Sequence, residues 1–450
     1  MKIPPKPKQL PELFNRHGAR LPDIFKCGIN ATPTGRYLHW GKLRHLPPPC
    51  ALDHEEWWLG VKLARSLIYR ELPLKDSAGR PFKFAMPDIV QEKIHGIDRK
   101  GGGRIVLPEV IITPETRDRY IFNSLVEEAI TSSQLEGAST TRQVAADMIR
   151  KGSKPRNTSE QMIFNNYEAM QAIRHLKKNA LTPNSVLDLH KLLTKDTLDD
   201  PSAAGRLQGV DEMRVQVVDN ASQQILHTPP PASQLPDRLV RMCEFANDVN
   251  HAHGYIHPLI RAIILHFWLA YDHPFIDGNG RTARALFYWS MLAQDYWLFE
   301  FVSISRILKE APAQYGESYI HAETDDNDLT YFIVHQLNVI TRAIADLEKY
   351  LQRKLEQTRA VQKMLKNSRD LNHRQLALLG HAIQHPGTEY SIRSHQTSHS
   401  VAYATARADL FDLSDKELLI KRQLGKKLLT FMSPPDLESR LRKLTLKQRT

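Results

Sequence analysis

The sequence predicts a mainly α-helical protein with one β-hairpin and a small C-terminal helix-turn-helix that carries a wing. Three observations carry this reading. Apolar residues recur at spacings of three and four over most of the chain. The period changes to alternation between residues 205 and 231. From residue 369 onward, short patterns follow in the order helix, strand, helix, helix, ribbon. The 450 residues suffice for about three domains, and 41% hydrophobic with 25% charged residues is an ordinary soluble globular composition. "AIILHFWLAY" is too short to span a bilayer, which takes about 20 apolar residues. "MKIPPKPKQLPELF" is broken by prolines and has no apolar stretch, so neither a signal peptide nor a membrane partner is expected. Cys27, Cys50 and Cys243 are few, odd in number and widely spaced, which points to a reducing cytoplasm and against a disulfide framework. A net charge of +11 favours anionic partners, nucleotide or nucleic acid.

In chain order, residues 1–112 mix Pro-rich loops with short helices and show no catalytic pattern. "DHEEWWLGVKLARSLIYREL" opens with Asp53 and Glu56 in a capping-box arrangement, then Trp57, Val61, Ala64 and Ile68 at helical spacing. Residues 99–114 read as a loop with a short extended piece. A helical core is expected over 113–325. Thr113 and Pro114 start a helix whose apolar face is Ile121, Leu125 and Ala129, and Gly137 ends it. "MRVQVV", "DNAS" and "QILHTPPP" form the expected hairpin, about 213–228. "HPLIRAIILHFWLAY" is apolar nearly all round and should be a central buried helix. A long helix from Leu329 to Leu365 connects this core (the linking segment is 326–368) to the last domain, 369–445.

The stretch "HPFIDGNGRTAR", residues 273–284, concentrates unusual chemistry. Backbone N–H groups around Gly278 and Gly280 would form an anion-binding concavity, and the following helix adds the positive end of its dipole. Arg281 and Arg284 share a face at the helix start, where cations oppose that dipole by about 0.3–1 kcal/mol. They make sense there if a strongly charged anion sits between them, and the guanidinium fork suits phosphate. Asp277 has the wrong sign for a phosphate site unless it holds a divalent cation such as Mg²⁺. His273 is the natural general base, with Pro274 expected to hold its backbone extended. Phe275 reads as a core anchor.

This stretch resembles the Fic family (filamentation induced by cAMP), whose signature HPFx[D/N]GNGRxxR it matches at His273, Pro274, Phe275, Asp277, Gly278, Asn279, Gly280, Arg281 and Arg284. The resemblance covers roughly residues 113–310 and implies a Fic-type helical core with the hairpin as its flap. It implies transfer of AMP from ATP to a Ser, Thr or Tyr hydroxyl of a target protein. His273 would deprotonate the acceptor and Asp277 would hold Mg²⁺. Gly278, Asn279 and Gly280 would cradle the phosphates, with Arg281 on the β-phosphate and Arg284 on the γ-phosphate. Kinase-type relatives carry Lys at the position of Gly280, which places this chain on the nucleotidyl-transfer side.

"SSQLEG", residues 132–137, puts Glu136 at a helix C-terminus, a position the helix dipole disfavours. The oddities of Glu136 and Arg284 both vanish if the two side chains pair. Ser132, Glu136 and Gly137 fall in register with the family's inhibitory motif [S/T]xxxE[G/N], so by resemblance the helix of about 114–137 precedes the core and blocks a productive γ-phosphate position. In some relatives the same glutamate aligns a water for AMP removal, and both roles stay open here. The hairpin resembles the family's target-docking flap, with Val215, Val217, Ile225 and Thr228 as candidates for strand addition to the target. The resemblance also implies a nucleotide partner, self-modification and a homodimer as further options.

Other constellations weigh less. His251, His253, His257 and His266 lack the spacing and fourth ligand of a zinc site, and packing is the expected role. In the last domain, the helix about 400–414 would read DNA, and Lys421, Arg422, Lys426 and Lys427 of the wing could contact phosphates. Asp409 and Asp412 on that helix shift the expectation toward protein contacts or packing, with DNA second. The alternatives to AMP transfer are a DNA-binding regulator that uses the core as a nucleotide sensor and a transferase for another phosphate-containing donor such as UTP, GTP or CDP-choline.

Overall fold

A computed structural model describes residues 3–101, 114–219, 222–248, 254–366, 371–384, 387–424, 428–437 and 439–441. The architecture is mostly helical, in two units, Met1–Leu347 and Glu348–Thr450. No helix among the described residues is long and apolar enough to cross a membrane.

The chain begins with four short helices, α1 (Leu10–His17), α2 (Leu21–Lys26), α3 (Trp40–Leu43) and α4 (His54–Ser66). The capping box is formed: Glu56 N donates to Asp53 Oδ1 at 2.8 Å and Asp53 N to Glu56 Oε2 at 2.9 Å. Trp57, Trp58, Leu59 and Val61 of α4 anchor a core with Leu13, Ile24 and Leu43. Here the cysteine expectation is corrected. Cys27 after α2 and Cys50 before α4 are brought together as a disulfide, their Cα atoms 6.0 Å apart, and Cys243 alone is free and buried. The folding back of α1–α3 over α4 closes a distance that sequence spacing hides.

An antiparallel hairpin follows, β1 (Tyr69–Lys75) and β2 (Pro81–Ala85), with Tyr69 opposite Ala85 and Arg70 opposite Phe84. It lies where loops and short helices were expected. Leu72, Leu74, Phe82 and Phe84 do alternate inward. Asp76 Oδ1 accepts the Ala78 and Arg80 amides at 2.9 and 2.8 Å and so makes the turn. Next, α5 (Asp88–Gly101) extends into the stretch read as a loop; residues 102–113, including Thr113, lie outside the described residues.

The core helices are α6 (Pro114–Leu135), α7 (Arg142–Lys151), α8 (Thr158–Leu176) and α9 (Pro183–Leu193). Then come β3 (Val217–Val218), β4 (Ile225–His227), α10 (Leu235–Ala246), α11 (Pro258–Asp272) and α12 (Asn279–Ala293). The unit continues with α13 (Ile304–Glu310), α14 (Pro312–Thr324) and the first part of the long α15 (Thr330–Lys366), whose residues from Glu348 onward belong to the second unit. Thirteen of the 15 residues of α11 are buried, and 13 of 15 in α12. An all-round apolar sequence thus becomes the centre of the unit, each fully buried Leu, Ile or Phe contributing about 1.5–3 kcal/mol. The N-terminal helices are fastened to this core by buried polar contacts: Lys62 to Asp325 at 2.8 Å, Arg65 to Tyr331 at 2.6 Å, and Tyr37 and Tyr69 to Asp328 at 2.6 and 2.7 Å.

The second unit contains α16 (His373–Gln384), β5 (Glu389–Ser391), α17 (Ile392–His399), α18 (Tyr403–Asp415), β6 (Ile420–Leu424) and β7 (Leu428–Met432). Its strands pair antiparallel in the order β5–β7–β6. Leu379, Tyr390, Ala406, Leu410, Leu413, Leu419 and Phe431 form its own core. Gly425, Lys426 and Lys427 of the expected ribbon lie outside the described residues.

Candidate active site at the junction of two buried helices

The stretch 273–284 is the corner between α11 and α12. His273 caps α11 in the left-handed region (φ 45°, ψ 52°), its N–H donating to Leu269 O at 2.9 Å. The expected extended backbone is thereby corrected. Pro274 bars the right-handed region, but the left-handed one is also compatible, and it both ends the helix and reverses the chain. Such a conformation costs a non-glycine residue on the order of 1–3 kcal/mol. Arg214 offsets it by donating to the Asp272 and His273 carbonyls at 2.5 and 3.0 Å, a cation at the negative end of α11.

His273 Nδ1 faces the Ala270 carbonyl at 3.3 Å, so the ring proton belongs on Nδ1 and Nε2 is left as the acceptor. Burial pushes its pKa down to about 4; the Ala270 carbonyl and Glu136 act the other way, and His227 and Arg214 reinforce the drop. The imidazole is therefore neutral near pH 7, the form a base requires.

Phe275 is fully buried and stacks on His190, centroids 3.7 Å apart. Asn279 closes the loop on itself, accepting from Phe275 N at 2.9 Å and donating to Phe275 O at 2.8 Å. Its side chain is thus a brace. Gly278 is left-handed (φ 83°), and a Cβ there would lie 2.7 Å from Thr194 Cγ2, so glycine is required twice over. At Gly280 a Cβ would lie 2.1 Å from Glu136 Oε1. The first turn of α12 is thus approached by a carboxylate oxygen, an anion beside the N–H-rich end of the helix.

Arg284 is buried and donates to Ser132 Oγ at 2.9 Å, Ser132 O at 3.0 Å and Glu136 Oε1 at 2.7 Å. Burial works against its charge, but Glu136 and neighbouring hydroxyl and carboxyl groups hold its pKa above the ordinary value. Glu136 sits in the turn just past α6, and Gly137 is left-handed (φ 95°). Arg281, also buried, donates to Leu193 O at 3.1 Å and Asp277 Oδ2 at 3.0 Å. Asp277 is exposed and accepts from Gly278 N as well. His273, Asp277, the glycines, Arg281, Arg284, Ser132 and Glu136 are therefore gathered at one corner.

The flap is shorter than expected. Val217 pairs with His227 and Val218 with Ile225, while Val215 and Thr228 lie outside both strands. The reason is local. Gln208 Oε1 takes the Val215 amide at 3.3 Å and Arg214 turns to α11, so strand pairing starts late. Asn220 and Ala221 of the turn lie outside the described residues. His227 fastens β4 through Tyr271 O at 2.7 Å and Glu323 at 2.8 Å. His257 caps α11 and contacts Asp98 at 2.9 Å, and His266 bonds Tyr315 at 2.7 Å, while His251 and His253 lie outside the described residues.

Four supporting residues were not legible beforehand. His190 contacts Asp277 O at 2.9 Å and accepts from Gly205 N at 3.0 Å, fixing the loop from below. Arg214 fixes it from the flap. Asp272, buried, is held by Arg238 at 2.8 Å and Trp268 at 3.0 Å. Glu128, in the middle of α6, accepts from Tyr288 and Ser303 at 2.8 Å each and pins that helix to the core.

Known proteins resemble part of this chain. Proteins named protein adenylyltransferase Fic from Nematostella vectensis and Drosophila virilis are each 31% identical over 112 residues, 24% and 25% of this chain. The match spans only about a fifth of these relatives' own length, 22% and 20%. A crystal structure of a Fic family protein from Desulfovibrio desulfuricans is similar in fold at a TM-score of 0.50 and 19% identity, covering 77% of this chain and 96% of that one. Residues 180–291, the segment holding α9 through most of α12, match the model of the Fic/DOC family.

Proposed function

We propose that the protein transfers AMP from ATP to a Ser, Thr or Tyr hydroxyl of a target protein, and that Glu136 restrains this activity by occupying the anion seat beside Gly280 and Arg284. The single observation that carries the reading is the placement of a neutral, base-competent His273 in the same loop as a helix N-terminus already approached by an anion. A carboxylate oxygen at 2.1 Å from the Gly280 Cβ position supports the fit of a phosphate group to that seat.

In the reaction, His273 Nε2 takes the acceptor hydroxyl proton. The oxygen attacks the α-phosphorus, the bond from that phosphorus to the bridging oxygen breaks, and pyrophosphate leaves. Asp277 is the carboxylate that would hold Mg²⁺, which when bound neutralises phosphate charge. The Gly278–Gly280 backbone and Arg284 would stabilise the phosphates. Arg281, tied to Leu193 and Asp277, would reach the β-phosphate by exchanging its Asp277 contact. Among the described residues the flap strands β3 and β4 pair only with each other, so an outer edge is left for the target chain. Wild type, Glu136→Gly and His273→Ala are to be incubated with Mg²⁺, α-labelled ATP and cell extract. Label on protein in Glu136→Gly, weak in wild type and absent in His273→Ala, is expected. Equal labelling by His273→Ala would refute the role of the base.

A further inference from the structure

Residues 348–450 carry 20 Lys and Arg against 10 Asp and Glu, while residues 1–347 carry 41 against 40. The net charge of +11 is thus almost wholly a property of the C-terminal unit. In that unit α17 and α18 are joined by a tight turn with Ser400 left-handed (φ 51°), and the ribbon β6–β7 follows. In a winged helix-turn-helix the second helix of the turn enters the DNA major groove with its N-terminal residues.

On sequence alone, Asp409 and Asp412 argue against α18 as a groove reader, since carboxylates repel phosphates. The structure removes the objection for Asp409 and places Asp412 beyond the N-terminal half of the helix. Asp409 is 4% exposed and accepts from Arg374 and Asn372, each at 2.7 Å, and from His395 at 3.1 Å. Asp412 accepts from Gln375 at 2.7 Å and Lys416 at 2.6 Å. Asp409 is thus buried against α16 and α17, while Asp412 is paired but keeps its side chain 43% exposed near the C-terminal end of the helix. The first turns of α18 instead expose Tyr403, Ala404 and Arg407. From the ribbon, Lys421 Nζ stands 4.7 Å from the centre of the Phe411 ring, and Arg407 Cζ stands 4.5 Å from the same centre. Helix and wing thus bring two cations to one aromatic ring. Among the described residues neither cation has an ion-pair partner. An anion reaching both would be attracted by both charges.

We propose that the C-terminal unit binds duplex DNA, with the N-terminal half of α18 in the major groove and Arg407 and Lys421 on the flanking phosphates. The small side chain of Ala404 allows close approach, and Tyr403 offers a hydroxyl to a base edge or phosphate. A helix cannot enter the deep, narrow major groove of A-form RNA, which separates the two polymers.

The full-length protein is to be titrated into labelled mixed-sequence duplex DNA of about 30 base pairs at about 50 mM salt, read by fluorescence anisotropy. Binding is expected, with a log–log salt slope of about −3 or steeper. Arg407→Ala with Lys421→Ala should weaken it about tenfold and flatten the slope by about 2. The charge-keeping pair Arg407→Lys with Lys421→Arg should retain it, which separates charge loss from misfolding. No binding at low salt, no effect of the alanine pair, or equal affinity for double-stranded RNA would each overturn the proposal. These readouts need no AMP transfer, so they stand or fall separately from the activity proposed above.

Discussion

The α11–α12 corner and the exposed face of α18 handle charge in opposite ways. At the corner each arginine has an internal partner: Arg214 on carbonyls, Arg281 on Asp277 and Leu193 with only its Nε left over, Arg284 on Ser132 and Glu136. In the second unit Asp409 and Asp412 of α18 are paired, while Arg407 of α18 and Lys421 of β6 have no ion-pair partner among the described residues. On the proposed reading, cations paired internally keep the ligand seat closed until the internal partner is displaced. Cations left unpaired wait for an outside anion.

The largest effect that sharpens this contrast concerns His273. Replacing it with Ala should lower AMP transfer by about 10²–10⁴-fold in a Glu136→Gly background, measured as initial rates, because general-base catalysis is worth that much. Next is the asymmetry inside the closed pair. Arg284→Ala should cost about 3–5 kcal/mol in urea unfolding, since a buried three-contact cation and the cavity it fills are lost together. Glu136→Ala should cost only about 1 kcal/mol, its carboxylate being 28% exposed. Equal losses would break the idea that the pair is one buried group restrained by one releasable one.

Acid should act on the first unit more than on a carboxylate-dominated protein. Burial pulls His39 down to about 3 and His190, His273, His321 and His335 down to about 4. Their unfolded forms take up protons first, from pH about 6.5 downward, so each removes up to about 1.4 kcal/mol per pH unit until the folded value is reached. His227 runs the other way: burial lowers its pKa, but Glu323 more than offsets this, so its contribution fades as pH rises through the raised value. Chemical unfolding followed between pH 7 and about 4 reads the net slope; a flat profile would contradict the buried neutral histidines. Gly278→Ala should cost about 1–3 kcal/mol from the left-handed backbone and the Thr194 contact, read as a lower unfolding midpoint.

Much of the corner was legible because its parts are contiguous in sequence. His273, Asp277, Gly278 and Arg284 fall within one turn and the next helix, and the wrong-signed charge of Glu136 pointed to Arg284 across 148 residues. His190, Arg214 and Arg238 were not, because each acts on the loop from another element and carries no local signature of doing so. The β1–β2 hairpin was hidden by Pro73 and Pro81 inside an otherwise alternating pattern. The left-handed His273 was missed because a following proline excludes one backbone region without choosing between the others. Asp409 is the converse case: its charge is visible in sequence, and only packing reveals that Arg374 and His395 remove it from the surface.

The most direct test of the closed seat is the ratio of initial AMP-transfer rates of Glu136→Gly and wild type, with Mg²⁺ and saturating ATP. If the Glu136 carboxylate holds the seat beside Gly280 and Arg284, the variant should be at least about tenfold faster, a shift of about 1.4 kcal/mol in transition-state access. The double variant with His273→Ala should return to background. A ratio near one, in two equally folded proteins, would contradict it.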